Sequence, residues 1–248
     1  MRKLVYTLST LVSILLLSNF NTQATHVMGS DITWECIGED SFKVTVVVYR
    51  DCNGIRLGNI SLTARCSGGS TITSSTSSVG TPEDITPVCD ESCTRCSSSG
   101  CSFPYGIHKY TLTYIMDLSS APNNCCEVTL SWSQCCRNGA ITTGISGNFY
   151  AEATLNRCQD PCDNSPRFLE SPIAVLCVGQ DFIYNQGVVD DDVDSNGNLY
   201  DSLVFAFAEP LSGANSPISY SGQYDYDKPI RFWGFPKANL PKPRGIHL

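Results

Sequence analysis

The chain has 248 residues and a formal net charge of −8 at neutral pH, so it can form one large or two modest domains. The acidic balance argues against nucleic acid as a partner. Fourteen cysteines are too many for a reducing cytosol. Their even number fits seven disulfides, although spacing alone does not fix which cysteines pair.

The N-terminus has the pattern of a secretory signal. Arg2 and Lys3 precede an apolar run from Leu4 to Leu17, and polar residues then lead to Ala24. We predict a signal peptide over residues 1–24, with cleavage after Ala24. The apolar run is about 14 residues, shorter than the roughly 20 that a membrane-spanning helix needs. The sequence therefore predicts a secreted or cell-surface protein with no transmembrane segment after signal cleavage.

Seven stretches of the mature chain have the composition of strands, and no stretch keeps a helical apolar period. The predicted strands are Ser30 to Cys36, Phe42 to Arg50, Asn59 to Cys66, Ser70 to Ser75, Ile107 to Asp117, Cys125 to Cys136 and Asn148 to Asn156. Short strands with turn-rich connections are typical of β-sandwiches. We predict an all-β fold, with a disulfide-rich immunoglobulin-like sandwich over residues 25–157.

The stretch from Cys125 to Cys136 is an alternating segment with a vicinal cysteine pair at each end. Side chains of a strand alternate between its two faces. Its predicted core face carries Cys126, Val128, Leu130, Trp132 and Cys136. Cys125 and Cys135 are expected on the other face, where they would tie outer loops.

The least regular part lies between Ser77 and Tyr105 and has no apolar periodicity. Its Cys93-x-x-Cys96 motif raises the alternative of a zinc or redox site. We favour a loop held by disulfides, because no second cysteine or histidine pair lies at zinc spacing. The candidate disulfide cysteines are Cys36, Cys52, Cys66, Cys89, Cys93, Cys96, Cys101, Cys125, Cys126, Cys135, Cys136, Cys158, Cys162 and Cys177.

Prolines and turn residues over 158–166 predict a linker. A second, partial β domain is expected over 167–248, with strands at Pro172 to Val178, Gln180 to Asn185 and Ser202 to Ala208. Its length of roughly 85 residues is marginal for a sandwich of about 100. We therefore expect the second domain to be truncated.

The acidic stretch from Asp190 to Asp201 is the strongest candidate site. Oxygen-bearing side chains at alternate positions, turned by Gly197, suit a hard cation that takes 6 to 8 oxygens. The predicted calcium ligands are Asp190, Asp192, Asp194, Asn196 and Asp201. An EF-hand is excluded, because Leu203 stands where the bidentate Glu would be. The alternative is a solvated acidic turn.

Catalysis has little support in the sequence. There are three histidines, with neither a Gly-x-Ser-x-Gly elbow nor a phosphate-binding glycine loop. We predict a non-catalytic protein, with a secreted hydrolase as the weakest alternative. A cluster of aromatic residues could stack on sugars, so a carbohydrate-binding module is the second hypothesis, although such rings can also fill a core. That cluster consists of Tyr220, Tyr224, Tyr226, Phe232, Trp233 and Phe235.

An ordered set of motifs resembles the N-terminal region of large secreted surface proteins of gliding bacteria. The motifs are His26 to Cys36, Tyr49 to Cys52, Ser131-Trp132, Cys135 to Asn138, Asn164 to Phe168, Cys177 to Gln180 and Tyr184-Asn185. Such proteins typically continue into cadherin-like or PKD-type repeats and end in a sorting domain read by the type IX secretion system. The resemblance implies a structural or adhesion module, the front part of a longer protein, with a protein or glycan partner at the cell surface. It also likens the acidic stretch to the Asp-x-Asp-Gly-Asp-Ser-Leu segment of cadherin-like repeats.

Overall fold

The computed structural model describes residues 26–67, 69–89, 92–101, 103–138, 147–172, 185, 187–193, 196–197, 200–222 and 224–227. Within these ranges all regular secondary structure is β-strand, which confirms the all-β prediction. The strands are β1 (Val27–Gly38), β2 (Ser41–Asp51), β3 (Ile60–Cys66), β4 (Thr71–Ser77), β5 (Glu83–Asp84), β6 (Ile107–Asp117), β7 (Glu127–Gln134), β8 (Phe149–Asn156), β9 (Arg167–Phe168), β10 (Val188–Val189), β11 (Leu211–Gly213) and β12 (Ser216–Pro217). The predicted signal peptide lies outside the described residues.

The strands form two main antiparallel sheets. One has the order β1-β2-β6-β5, and the other has the order β12-β11-β8-β7-β3-β4. A separate ladder pairs β9 with β10. Each of the seven predicted strands of the first domain overlaps one of the long strands β1 to β4 and β6 to β8, because alternation of apolar and polar residues marks a half-buried strand.

The two sheets enclose one apolar core. Val44, Val46 and Val48 of β2 are completely buried, as are Leu62 of β3 and Leu130 of β7. Burying a side chain of this size stabilises the fold by roughly 1.5–3 kcal/mol. The sheets are also joined by a polar contact, because Nε1 of buried Trp132 donates a 3.0 Å hydrogen bond to the hydroxyl of Ser30.

An ion pair ties the first hairpin to the end of β8. The Arg157 guanidinium donates to both carboxylate oxygens of Asp40, at 2.9 and 2.6 Å. Asp40 lies in the turn between β1 and β2 with a φ of 52°, a conformation that Asp tolerates better than most residues. Both side chains are largely buried, with 12% and 25% exposure. The contact therefore fixes the turn against a strand of the opposite sheet.

Six disulfides lie among the described residues. The pairs are Cys36–Cys162, Cys52–Cys96, Cys66–Cys125, Cys93–Cys101, Cys126–Cys158 and Cys135–Cys136. Cys89 is exposed and in no disulfide, and Cys177 lies outside the described residues. Cross-links in this number fit an oxidising, extracellular compartment.

The structure corrects the predicted faces of the two vicinal cysteine pairs. Cys125 is buried and bonded to Cys66, while Cys126 is bonded to Cys158. Cys135 and Cys136 are bonded to each other, instead of one facing the core and one facing a loop. The reason is that β7 begins at Glu127 and ends at Gln134, so strand alternation does not apply to any of these four cysteines.

The described residues after the linker are less regular. The strand predicted at Ser202 to Ala208 is wrong, because residues 202–210 have no strand partner. Instead β11 pairs with β8 through Leu211 and Tyr150, and so extends the larger sheet of the first sandwich. Pro172 apart, the predicted strand from Pro172 to Val178 lies outside the described residues. The strand predicted from Gln180 to Asn185 also lies there, except for Asn185.

Candidate functional site

The linker runs along the free edge of β1. The amide of Trp34 donates to the Ser165 hydroxyl at 2.8 Å, and the amide of Ser165 donates back to the Trp34 carbonyl at 3.0 Å. The amide of Cys36 donates to Oδ1 of Asn164 at 2.9 Å, and Cys36 is also bonded to Cys162. These contacts satisfy backbone groups that an edge strand would otherwise expose. They also fix the position of the linker relative to the sandwich.

The acidic stretch is anchored to this linker through Asp192. The backbone amide of Asn164 donates to Oδ2 of Asp192, and its side-chain amide donates to Oδ1, each at 2.7 Å. The amide of Asp192 itself donates to Oδ1 of Asp190 at 3.0 Å, and the Asp192 carbonyl accepts from the amide of Tyr200 at 3.2 Å. Asp192 is therefore the residue on which the loop and the linker meet.

Asp163 adds a second carboxylate to Asp192. Burial is the largest cause that raises the pKa of Asp163 to about 6, followed by the charge of Asp192 and a side-chain hydrogen bond with it. The charges of Asp160 and, to a smaller extent, Asp201 also raise the pKa of Asp163. The backbone carbonyl of Asp163 accepts a 3.2 Å hydrogen bond from Nε1 of Trp34. The linker thus brings its own carboxylates to the acidic stretch.

Only part of the predicted calcium set is brought together. The amide of Asp192 donates to the carboxylate of Asp190. The charge of Asp201 raises the pKa of Asp163, and Asn196 lies in a turn. Asp194 lies outside the described residues. Asp191, which was not predicted as a ligand, forms a 3.0 Å ion pair with Arg167. Exposed pairs of this kind contribute little to stability.

The described carboxylates do not by themselves complete a calcium site. Within the described part of the chain, only Cys52, Cys96 and His108 bring three ligand-type atoms within 4.8 Å of one another. Both oxygens of Asp192 already accept hydrogen bonds from Asn164. A hard cation here would need Asp163 and Asp192 together with further oxygens.

The group of Cys52, Cys96 and His108 has a structural explanation. The two sulfurs are joined in a disulfide, which removes the thiolates that a soft metal ion needs. Burial and the charge of Arg50 lower the pKa of His108, and Nη1 of Arg50 lies 3.2 Å from Nδ1 of the ring. A Cβ on Gly106 would lie 2.5 Å from Sγ of Cys96. The disulfide therefore holds the irregular loop closely against the start of β6, as the sequence predicted for this region.

A small cleft opens on the outer face of the four-stranded sheet. Its volume is about 130 Å³, and it lies between β1, β2, β6 and residues 167–171. The hydroxyl of buried Tyr49 donates to Oδ2 of Asp31 at 3.2 Å. Burial raises the pKa of Asp31, and this effect outweighs the lowering by the Tyr49 hydrogen bond and the Lys109 charge. The cleft therefore combines a half-buried carboxyl with a nearby ammonium.

Comparisons with family models, with curated proteins and with solved structures returned no match. Among the described residues there is also no helix with the length and apolar character needed to cross a membrane. The functional argument for this chain therefore depends on the geometry of its own residues.

Sequence reasoning missed the contribution of the linker to the acidic site. Asp160, Asp163 and Asn164 were assigned only to turns, although they add three oxygen-bearing side chains within five positions. That local density of acidic and amide groups was a usable signal. The cleft residues gave no comparable signal, because Asp31, Tyr49 and Lys109 come from three strands and meet only through the strand register.

Proposed function

We propose that this chain is a non-catalytic structural and adhesion module of the cell surface, serving as the N-terminal part of a larger protein. In this proposal an immunoglobulin-like sandwich is followed by a cadherin-like unit. The motifs that resemble secreted surface proteins of gliding bacteria support the assignment. The disulfide content supports an extracellular location. The surroundings of His108 also favour a structural role, because its neighbours are an arginine and a disulfide.

The observation that carries the proposal is the construction of the linker. A disulfide from Cys36 to Cys162 and four hydrogen bonds between residues 164–165 and β1 hold the linker against that strand. Asp192 then joins the next segment to the same point. A connection fixed at so many positions cannot act as a flexible tether. It suits a surface protein whose successive units must keep a defined orientation under load.

Calcium is the proposed cofactor of this junction. Asp163 and Asp192 repel each other when both are ionised, and a divalent cation would replace that repulsion with attraction to both carboxylates. Extracellular calcium modules bind at about 10⁻⁴ to 10⁻³ M. At ten times the dissociation constant, binding to the folded state alone adds about 1.4 kcal/mol of stability.

Thermal unfolding with calcium, with magnesium and with a chelator tests the proposal. We expect calcium to raise the midpoint by a few degrees and magnesium to raise it less, because magnesium requires a stricter geometry. Limited proteolysis should show slower cleavage within residues 187–210 when calcium is present. The Asp192→Asn variant should lose both effects. An unchanged midpoint and an unchanged cleavage rate would remove calcium from the account of this junction.

A further inference from the structure

The cleft on the outer face of the four-stranded sheet has the features of a ligand site that is separate from the acidic junction. Asp31 and Tyr49 stand on neighbouring strands, and Lys109 follows on the third. Phe168 and Glu170 form part of the opposite wall. A cavity with convergent polar groups and a perturbed carboxyl is a common form of binding site.

The Asp31 carboxyl has acceptor capacity left for a ligand. A carboxylate has about four acceptor positions, and the hydrogen bond from Tyr49 occupies one of them. The field of Lys109 favours the charged form of Asp31. The Lys109 ammonium lies 3.9 Å from Glu83, with 31% of its side chain exposed, so this ion pair is long enough for the ammonium to donate to a ligand as well.

The charge balance of the cleft favours a neutral ligand. Lys109 and Arg167 oppose a cation, and Asp31 and Glu170 oppose an anion. A ligand with adjacent hydroxyl groups can donate to Asp31 and accept from Lys109 at the same time. Phe168 lines the cleft and is 45% exposed, so its apolar ring is available to pack against the C–H groups of a sugar ring.

The size of the cleft limits how much of a ligand can enter. Its volume of about 130 Å³ is below the roughly 300–1,000 Å³ of sites that enclose drug-sized molecules. It can therefore receive one edge of a single sugar ring but cannot enclose an oligosaccharide. The chain of a glycan would have to leave the cleft toward solvent.

We propose that this cleft binds the terminal, uncharged sugar residue of a surface glycan through Asp31, Lys109 and Phe168. This inference rests on the adhesive function proposed above and names its partner. It does not require calcium, because Asp31, Lys109 and Phe168 lie outside the acidic stretch, although Arg167 of the cleft forms an ion pair with Asp191. It also places glycan recognition on the sheet face instead of on the aromatic residues around Tyr220 to Phe235.

Saturation-transfer NMR with the disulfide-intact chain tests this site. The probes are glucose, galactose, mannose and N-acetylglucosamine as neutral sugars, with N-acetylneuraminic acid as a charged comparison. We expect transfer to at least one neutral sugar and weaker transfer to the acid. Oligosaccharides that end in the sugar that binds should bind at least as well as the free sugar, which distinguishes a glycan terminus from a free monosaccharide as the ligand.

Three variants locate the binding. Asp31→Asn should weaken sugar binding about tenfold or more, because it replaces a charge-assisted hydrogen bond with a weaker neutral one. Phe168→Ala should weaken binding severalfold. Asp117→Asn makes the same exchange on β6, at the far end from Lys109, and should leave binding unchanged. Phe168 is exposed, so its variant keeps the test valid if Asp31→Asn affects folding.

The proposal is overturned if no neutral sugar receives saturation, or if both cleft variants bind like the unmodified chain. Thermal unfolding with calcium on the same samples separates the two proposals. A calcium response without sugar binding would overturn the glycan site and support the stiff junction. Sugar binding that depends on Asp31, without a calcium response, would support the glycan site and remove calcium from the account of the junction.

Discussion

Asn164 and Asp192 are joined by two hydrogen bonds of 2.7 Å, although they lie 28 positions apart in the chain. The same Asn164 accepts from the backbone of Cys36. One side chain therefore connects the edge of the sandwich, the linker and the acidic stretch. The hydrogen bonds are charge-assisted on the Asp192 side, and such bonds are stronger than neutral ones.

Replacing Asn164 with Ala should loosen the acidic stretch. The variant leaves the Cys36 amide without its partner and removes one donor from Asp192, which should cost about 1–3 kcal/mol. A protease that cuts at acidic residues should then cleave within 187–210 faster than in the unmodified chain. Asn123 is exposed, and its replacement by Ala is the matched control, expected to change stability by less than about 0.5 kcal/mol. Equal cleavage rates in both variants would contradict the role of Asn164.

The raised pKa of Asp163 predicts a stability that falls with pH. The folded state holds this proton up to about pH 6, whereas an unfolded Asp releases it near 3.8. Between these pH values the folded state therefore binds more protons than the unfolded state. The contribution of Asp163 to the free energy of unfolding is greatest below about pH 4 and declines as the pH rises to about 6. Asp163→Asn should remove this decline of stability with pH. With calcium removed by a chelator, the variant should be more stable at pH 7 by about 1 kcal/mol, a figure reduced because Asp163 is partly exposed. Urea unfolding at several pH values measures this.

The same variant distinguishes a repulsive carboxylate pair from a cation site. In the presence of calcium, Asp163→Asn should reduce the calcium-induced rise of the unfolding midpoint, because one ligand oxygen loses its charge. A rise equal to that of the unmodified chain would show that Asp163 does not contact the ion.

The ion pair between Arg157 and Asp40 should contribute substantially to stability. Asp40→Asn keeps a side chain that tolerates the positive φ of this turn, but it leaves the largely buried guanidinium without its counter-charge. We expect a loss of about 2–4 kcal/mol in urea unfolding, since breaking a buried pair on one side costs about 3–5 kcal/mol. Glu35→Gln breaks the exposed pair with Lys43 and should cost less than about 1 kcal/mol. Similar losses of stability in the two variants would contradict the expectation that the buried ion pair contributes more than the exposed one.

The disulfides should differ in their contribution according to the loops they close. With the other disulfides intact, the shortest loop through Cys36–Cys162 has roughly 35 residues, which corresponds to about 4 kcal/mol in the chain-entropy model. Cys93–Cys101 closes a loop with a sequence separation of 8, which corresponds to about 2.5 kcal/mol. The double variant C36S/C162S should therefore unfold at a lower temperature than C93S/C101S. The reverse order would indicate that contacts of the linker with β1 persist without the cross-link.

Cys89 should be the cysteine that reacts first with an alkylating agent in the folded protein. It is exposed and in no disulfide, whereas twelve other described cysteines are paired. Peptide mass spectrometry without reductant should find the label on Cys89 and the six pairs intact. An unlabelled Cys89 would mean that it is paired, with Cys177 as the remaining candidate, which would complete the seven disulfides expected from the sequence.

Local patterns were sufficient to predict the seven long strands β1 to β4 and β6 to β8, but not their partners. The alternation from Phe42 to Val48 correctly predicted a buried face, because it depends only on the period of a strand. The pairing of Cys125 with Cys66 depends on β3 and β7 lying side by side, and no local pattern specifies this neighbour relation. The same limit applies to the predicted calcium loop. Its residues are close together in the sequence and could be proposed as ligands, but the contacts of Asp192 with Asp163 and Asn164 arise only when the linker folds back along β1.

The strand predicted at Ser202 to Ala208 shows a different limit. Its apolar composition satisfies the strand pattern, yet Val204 is 85% exposed and residues 202–210 pair with no strand. A strand needs a partner for its backbone groups, and composition does not supply one. By contrast, the short β11 was not predicted, because three residues carry too little pattern, and it forms only because β8 offers a free edge.

The pairing of β11 with β8 determines where the chain can be cut for expression. The sequence suggests ending an expressed fragment in the linker, at residues 158–166. Such a fragment would lack β11 and β12, and the edge of β8 at Tyr150 would be uncovered. An uncovered strand edge is a template for association between copies. A fragment that ends after Pro217 keeps this edge covered and should remain monomeric at concentrations where a fragment ending at Arg157 self-associates.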